Sequence, residues 1–330
     1  MREAVLESTG FVVREAPEPV LNEGDVLVEV RYCGICGSDL HTYGDRIPGR
    51  YGHEYAGDIA AMGPGVRGWE VGDRVAAESL LGCGSCEWCL RGQPGLCRDF
   101  YTFWAQSTTG FATYARVKAS QLHKLPQGMS YEEGALVEPA AVALHALRLS
   151  GIAVGDTVAV LGLGAIGQLV ARLAALSGAG AIYATEATPS RIELATGIAD
   201  EVIDVTAADP VARITEVTGG RGADVVFECA GAVTSSQQSL DLARRGGTIV
   251  IAGVCMHQVE MIVSTIALKE LTLKGSMCLS ADDFATALSL IASKRLDVMP
   301  LVSDIVPLDR VSEGFDRALR GEGCKILVRP

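Results

Sequence analysis

The sequence predicts an α/β protein in two parts, a β-rich region over roughly the first 150 residues followed by a doubly wound parallel sheet. Three observations predict it. The N-terminal third alternates apolar and polar residues in short runs broken by Pro and Gly, the pattern of antiparallel strands. Val158–Leu161 is a short β-branched apolar run that leads into Gly162-Leu163-Gly164-Ala165-Ile166-Gly167 and then an Ala- and Leu-rich stretch at helical spacing. After that turn, strand-like and helix-like segments alternate as far as Ser276, which specifies parallel strands with helices on both faces.

Bulk properties narrow the function. At 330 residues the chain has room for about two domains of ~150 residues. Its net charge of −12 argues against nucleic acid, whose binding needs clustered Lys and Arg. No run of about 18 apolar residues suggests a membrane span, and Met1–Ser8 carries no apolar signal core. A cytoplasmic protein is the expectation.

Taken in order, Glu3–Glu7, Gly10–Arg14 and Asp25–Arg31 read as strands, and the texture continues through Gly57–Gly63 and Val71–Ala76. Three segments here offer metal donors: Cys33-Gly-Ile-Cys36-Gly-Ser38-Asp39-Leu-His41, Gly52-His53-Glu54-Tyr-Ala-Gly57 and Glu138-Pro-Ala-Ala-Val-Ala-Leu-His145. Taken singly, each also has an ordinary explanation as a buried thiol, a turn histidine or a helix cap. Between them Cys83-Gly-Ser-Cys86-Glu-Trp-Cys89 is followed by Cys97. Four thiolates in one Gly-rich loop suit a closed tetrahedral zinc site that supports a loop with little core of its own. An iron–sulfur cluster and a pair of disulfides are the competing readings.

In the glycine turn the first Gly permits the tight turn, the second admits a pyrophosphate to the backbone, and the third lets the helix pack on the strand. The helix N-terminus offers N–H groups and a positive dipole end to the phosphates. A second strand, Ala181–Thr185, ends at Glu186, nineteen residues beyond Gly167, the spacing of a carboxylate that binds the adenosine ribose. A carboxylate there repels a 2′-phosphate and favours NAD. Arg191, a nearby cation, could instead accept that phosphate.

The later elements follow the same alternation. Pro189–Ala195 reads as a helix, Glu201–Asp204 as a strand, Asp209–Thr218 as a helix, and Asp224–Gly231 as a strand ending in a turn. Leu240–Arg245 reads as the end of a helix, Gly247–Gly253 and Leu271–Ser276 as strands, and Ala281–Arg295 as the helix that closes this domain near residue 297. Ligands of such sheets bind at the carboxyl ends of the strands.

The residues quoted, in this order, resemble those of the zinc-dependent medium-chain dehydrogenases over nearly the whole chain. Val-Glu138-Pro-Ala-Ala-Val-Ala-Leu-His-Ala is similar to the polyol and vicinal-diol branch. The resemblance implies a GroES-like catalytic domain over 1–150 and 298–330 and a Rossmann NAD-binding domain over 151–297. It implies a catalytic zinc faced by Cys36, His53 and Glu138, with Glu54 either a direct ligand or a carboxylate that swings in. Cys83, Cys86, Cys89 and Cys97 would hold a structural zinc. Ser38 would hydrogen-bond the hydroxyl at the catalytic zinc, and His41 would pass the proton to solvent. Ala230, Gly231, Gly253, Val254 and Ser276 would border the nicotinamide, by strand-end geometry and by resemblance. The Cys36–His53 interval is shorter than is usual in the family, which reshapes one wall of the substrate pocket. Other walls are expected from Tyr43–Arg50 and Phe100–Gln106.

The implied reaction is hydride transfer between NAD and a secondary alcohol: a polyol, cyclitol or vicinal diol. A threonine-type amino alcohol or a simple alcohol is the alternative substrate, and a non-catalytic NAD-binding regulatory protein the alternative class. A homodimer or homotetramer follows from the resemblance. Cys33, Cys229, Cys255, Cys278 and Cys324 read as reduced packing residues.

Overall fold

The structure, a computed structural model, describes residues 1–100 and 109–330. Of the expected pocket loop Phe100–Gln106, all but Phe100 lies outside the described residues. The chain forms two compact units, Met1–Ala141 with Leu279–Pro330, and Val142–Cys278.

The first unit carries strands β1 (Arg2–Glu7), β2 (Gly10–Glu15), β3 (Asp25–Gly34), β4 (Gly49–Arg50), β5 (Glu54–Met62), β6 (Arg74–Ala77), β7 (Tyr114–Lys118) and β8 (Leu122–Lys124). The second carries β9 (Thr157–Leu161), β10 (Ala181–Glu186), β11 (Glu201–Asp204), β12 (Ala223–Glu228), β13 (Ala243–Ile251) and β14 (Thr272–Gly275). The chain then adds β15 (Val302–Pro307) and β16 (Lys325–Arg329) to the first unit.

In the first unit a larger sheet runs β15-β16-β3-β5-β6-β8, with β7 also paired to β3, and a smaller one runs β2-β1-β4. β3 is buried along most of its length because it is flanked on both edges and packed on both faces. The core between the sheets is aromatic: Phe11 stacks on Tyr43 at 5.6 Å and tilts against Phe315 at 4.8 Å. Tyr43 is therefore core and not pocket wall, with its hydroxyl donating to Asp316 Oδ1 at 2.8 Å. Arg50, at the other end of that expected loop, is tied to the buried Glu3 at 2.7 Å. Residues 44–48 and Arg50 of the loop are exposed.

The second unit is one parallel sheet in the order β11-β10-β9-β12-β13-β14. This is the doubly wound order that reverses direction beside its first strand, and the reversal falls between β9 and β12. β9 and β12 lie at the sheet centre and are buried almost throughout, as strands covered on both faces must be.

Three boundaries differ from the sequence reading. The Val71–Ala76 run is strand only from Arg74. The helix expected to end at Leu240–Arg245 stops at Leu242, and Ala243 already pairs with Ala223. Arg244 is drawn into the sheet because its guanidinium reaches Asp224 on β12. Finally, the units divide at residue 142, within the helix Val137–Ser150, and at 279, not at 151 and 298. Helix Ala281–Ala292 belongs to the first unit because Phe284 is fully buried against the His123 ring, with centroids 4.4 Å apart. Lys294, just beyond it, pairs with Glu133. Among the described residues, no helix is long and apolar enough to cross a membrane.

Candidate metal centres and nucleotide-binding turn

The first donor cluster is built by strand register. β3 and β5 run antiparallel with Gly34 opposite Glu54. The chain leaving β3 therefore reaches Cys36 just where His53 and Glu54 enter β5. Cys36, in extended backbone, caps the helix Gly37–Gly44. Its Sγ, a His53 ring nitrogen and a Glu54 oxygen all lie within 4.8 Å of one another. Gly34 is required here, because a Cβ on it would stand 2.1 Å from Glu54 Oε2.

Two further residues fix this cluster. Asp39 places Oδ2 3.3 Å from the Cys36 backbone N–H and Oδ1 3.5 Å from His53 Nδ1. β16 pairs with β3 at Leu327 opposite Gly34, which brings in Lys325. Lys325 Nζ donates to Glu54 Oε1 at 2.8 Å, to Oε2 at 2.7 Å and to the Ile35 carbonyl at 2.9 Å. Both partners of this ion pair are buried.

Glu138 stands in the first turn of Val137–Ser150. It is not among the three mutually close donors; its Oε1 accepts from Ser79 Oγ at 3.4 Å. Burial pushes its carboxyl up to about 7, with Glu54 adding to the rise and His53 and Lys325 opposing it. Burial also acts to lower His53, but Asp39 and Cys36 outweigh it and hold the imidazole well above its ordinary value. Burial likewise acts against the Lys325 ammonium, and Glu54 overcomes it. Glu54, Cys36 and Glu138 thus crowd one buried ammonium with acidic groups. A thiolate, an imidazole and a carboxylate at this spacing suit Zn²⁺, whose charge meets that excess. Ser38 and His41 lie three residues apart in the neighbouring helix, and both are exposed.

The second cluster is local. The sulfurs of Cys83, Cys86, Cys89 and Cys97 all lie within 4.8 Å of one another. Zn–S bonds of about 2.3 Å set tetrahedral sulfurs about 3.8 Å apart, so the four fit around a single ion. Cys86 caps the short helix Glu87–Leu90, and Cys97 follows the turn Pro94–Leu96. The Cys83 sulfur accepts from Ser85 Oγ at 3.5 Å and Cys86 N–H at 3.3 Å, and such bonds, the Ser85 hydroxyl first, bring its thiol down to about 6. All ten cysteines are free thiols, which removes the disulfide reading.

In the second unit, Gly162 leaves β9 with φ +88°, a conformation that favours glycine. A Cβ on Gly167 would lie 1.8 Å from the Gly162 carbonyl, so the helix Ala165–Leu176 can pack this close only with glycine there. Gly164 at the helix cap faces open space, where a phosphate could approach the backbone. Glu186 is 9% exposed; its Oε2 accepts from Leu163 N–H at 2.9 Å, and its Oε1 from Ala187 and Thr188 N–H at 2.8 and 3.0 Å. Arg191 lies on the next helix, Pro189–Leu194, and its carbonyl accepts from Gln168 at 2.7 Å.

The strand ends form a continuous row. Gly162 packs on Ala230, and Gly231 on Gly253 and Val254. The fully buried Glu228 accepts from Ala230 and Gly231 N–H at 3.0 and 2.9 Å. Ser276 N–H donates to Ile251 at 2.9 Å, and the Ser276 hydroxyl is buried without a partner. The row and the open cap fit a dinucleotide laid along the carboxyl edge of the sheet.

Sequence reasoning missed Asp39, Lys325 and Ser79. Asp39 had a signal, an acid three residues after Cys36 in the position of a capping box. Lys325 directly precedes the apolar run Ile326-Leu327-Val328, which is the signal of a buried charge with a partner. Ser79 had none.

Two family models match, the alcohol dehydrogenase GroES-like domain over residues 22–127 and the zinc-binding dehydrogenase domain over 165–293. The chain belongs to the zinc-dependent medium-chain dehydrogenases, in their polyol branch. It is 34% identical to a sorbitol dehydrogenase of Bacillus subtilis, over 100% of this chain and 97% of that one. The structure of 2R,3R-butanediol dehydrogenase from the same organism aligns with a TM-score of 0.90 at 34% identity, covering 100% and 99% of the two chains. A Sinorhizobium meliloti protein described as a zinc-binding dehydrogenase, solved with NADP bound, aligns at 0.93 with 33% identity over 100% and 99%. The protein is accordingly a zinc-dependent dehydrogenase that works with a nicotinamide cofactor.

Proposed function

We propose that the protein oxidises a secondary alcohol of a polyol or vicinal diol with NAD, in the reversible sense that also reduces the ketone. The convergence of Cys36, His53 and Glu54 at the Gly34–Glu54 register carries this reading. Its substrate class is supported by the sorbitol and butanediol dehydrogenases among its relatives. Two zinc ions per chain fit the two donor sets.

Zinc held by Cys36, His53 and Glu54 would supply a Lewis acid that makes a bound hydroxyl more acidic. The chain's own groups do the rest. The reaction moves a hydride from the carbinol carbon to the nicotinamide and a proton from the hydroxyl to solvent. Ser38 can both accept and donate, as a relay member must. His41, exposed three residues along the same helix, has ring nitrogens that can take up a proton and release it to solvent, as a terminal member must. Ala230, Gly231, Gly253, Val254 and Ser276 would shelve the nicotinamide.

Glu186, with both oxygens on backbone N–H groups of the glycine turn and the following loop, leaves little room for a 2′-phosphate. NAD is the preferred cofactor on this ground, although the Sinorhizobium relative binds NADP. The solution form is a homodimer or tetramer. The edge strand β14 is exposed throughout, with Val254, Met256, Leu268 and Leu273 also exposed in residues 254–273, and a second copy would cover such an edge. Ten reduced thiols suit the cytoplasm.

The test is NADH formation by zinc-replete protein against sorbitol, butanediol, inositol, threonine and simple alcohols, repeated with NADP. Turnover with a polyol or vicinal diol, faster with NAD, is expected. A protein holding two zinc ions but inert to the whole panel would overturn the reading. Sedimentation as a monomer would reject the oligomer.

A further inference from the structure

The two buried glutamates beside Cys36 and His53 are restrained differently. Glu54 has both oxygens on the Lys325 ammonium, at 2.8 and 2.7 Å. Glu138 receives a neutral hydroxyl, Ser79 Oγ, at 3.4 Å. Both Ser79 and Glu138 are buried, at 2% and 7% exposure, so no bulk water competes for the bond. Ser79 lies two residues past β6, and β6 is fixed on β5 by the Ala56–Ala76 pairing. The hydroxyl is therefore anchored to the same sheet that carries His53 and Glu54. Glu138 stays outside the set of three mutually close donors, although it lies near enough to feel the charges of His53, Glu54 and Lys325.

We propose that Ser79 is a positioning residue that holds the Glu138 carboxylate back from the metal and so keeps one coordination position open for substrate. A zinc centre that does chemistry needs three protein ligands and one exchangeable position, whereas a fourth protein ligand closes it. A carboxylate released from its donor inside a buried, cation-binding pocket has the metal as its best remaining partner. The inference rests on the zinc centre proposed above, but its readout does not require the substrate to be known.

The experiment compares zinc release to a chelator in wild type, Ser79→Ala, Ser79→Thr and the double variant Ser79→Ala with Glu138→Gln. It adds the visible spectrum of each protein with cobalt in place of zinc. Ser79→Ala should slow release of the Cys36 zinc by about tenfold, within the range by which groups behind metal ligands act. Its cobalt bands should shift as a carboxylate oxygen takes the exchangeable position, and kcat should fall more than KM changes. Ser79→Thr keeps the hydroxyl and should restore all three. The double variant should lose the extra grip. Release from Ser79→Ala that is unchanged or faster, with an unchanged cobalt spectrum, overturns the proposal. If wild type binds only the zinc of the four-cysteine loop, the proposed centre itself fails. Should Ser79→Ala not fold, Glu138→Gln alone decides: it should leave zinc release near wild type, and a large acceleration would mean Glu138 already ligates.

Discussion

Asp39 lies outside the three mutually close donors, yet two of them depend on it. One oxygen fixes the Cys36 backbone and the other faces His53 Nδ1, which orients the ring so that Nε2 can serve as the ligand. Asp39→Asn keeps the shape and removes the charge. It should weaken zinc binding at this centre by about 10–100-fold, measured by competition with a chelator, while the four-cysteine zinc stays bound. Single residues were legible in the sequence where their chemistry is local. The four loop cysteines stood out by type and spacing, whereas Cys36 and His53 were joined only by the family resemblance. Lys325 did not stand out, because its partner Glu54 is 271 residues away.

At the scale of elements, the glycine turn is the clearest case of sequence dictating structure. A Cβ at Gly167 would collide with the Gly162 carbonyl at 1.8 Å, so Gly167→Ala must push the helix Ala165–Leu176 off β9. NAD affinity, followed by quenching of protein fluorescence, should drop at least about tenfold, equivalent to ~1.4 kcal/mol. The sheet's other end depends on Asp224, which accepts from Thr157 N–H at 2.9 Å and pairs with Arg221 and Arg244. Burial acts to raise its carboxyl, but these donors outweigh it and hold it below the ordinary value of 3.8. A carboxyl lowered on folding adds stability above its unfolded pKa, and that gain is lost as pH falls through the folded one. Asp224→Asn should therefore cost about 1–3 kcal/mol at neutral pH in urea unfolding, and the gap from wild type should close in acid below pH 3.8. The sequence marked this strand but ran the helix after it to Arg245, because a pattern of side chains does not reveal that Arg244 reaches a neighbouring strand.

For the molecule as a whole, the two donor clusters make different demands on the chain. The four-cysteine loop folds around its own residues, and Cys97→Ser should remove one zinc per chain and lower the unfolding temperature. Cys36→Ser should remove the other zinc and abolish turnover with a smaller effect on unfolding. Metal analysis beside thermal melts separates the two outcomes. By itself the sequence determined the doubly wound sheet, the glycine turn with Glu186, and the cysteine loop, since each is specified by side chains a few residues to some twenty apart. Tertiary structure alone decided which carboxylate joins Cys36 and His53, that Lys325 holds it, and that Ser79 meets Glu138. Those choices hang on the register of β3 against β5 and β16, and a strand pairing between distant segments is fixed by the packing of the entire sheet.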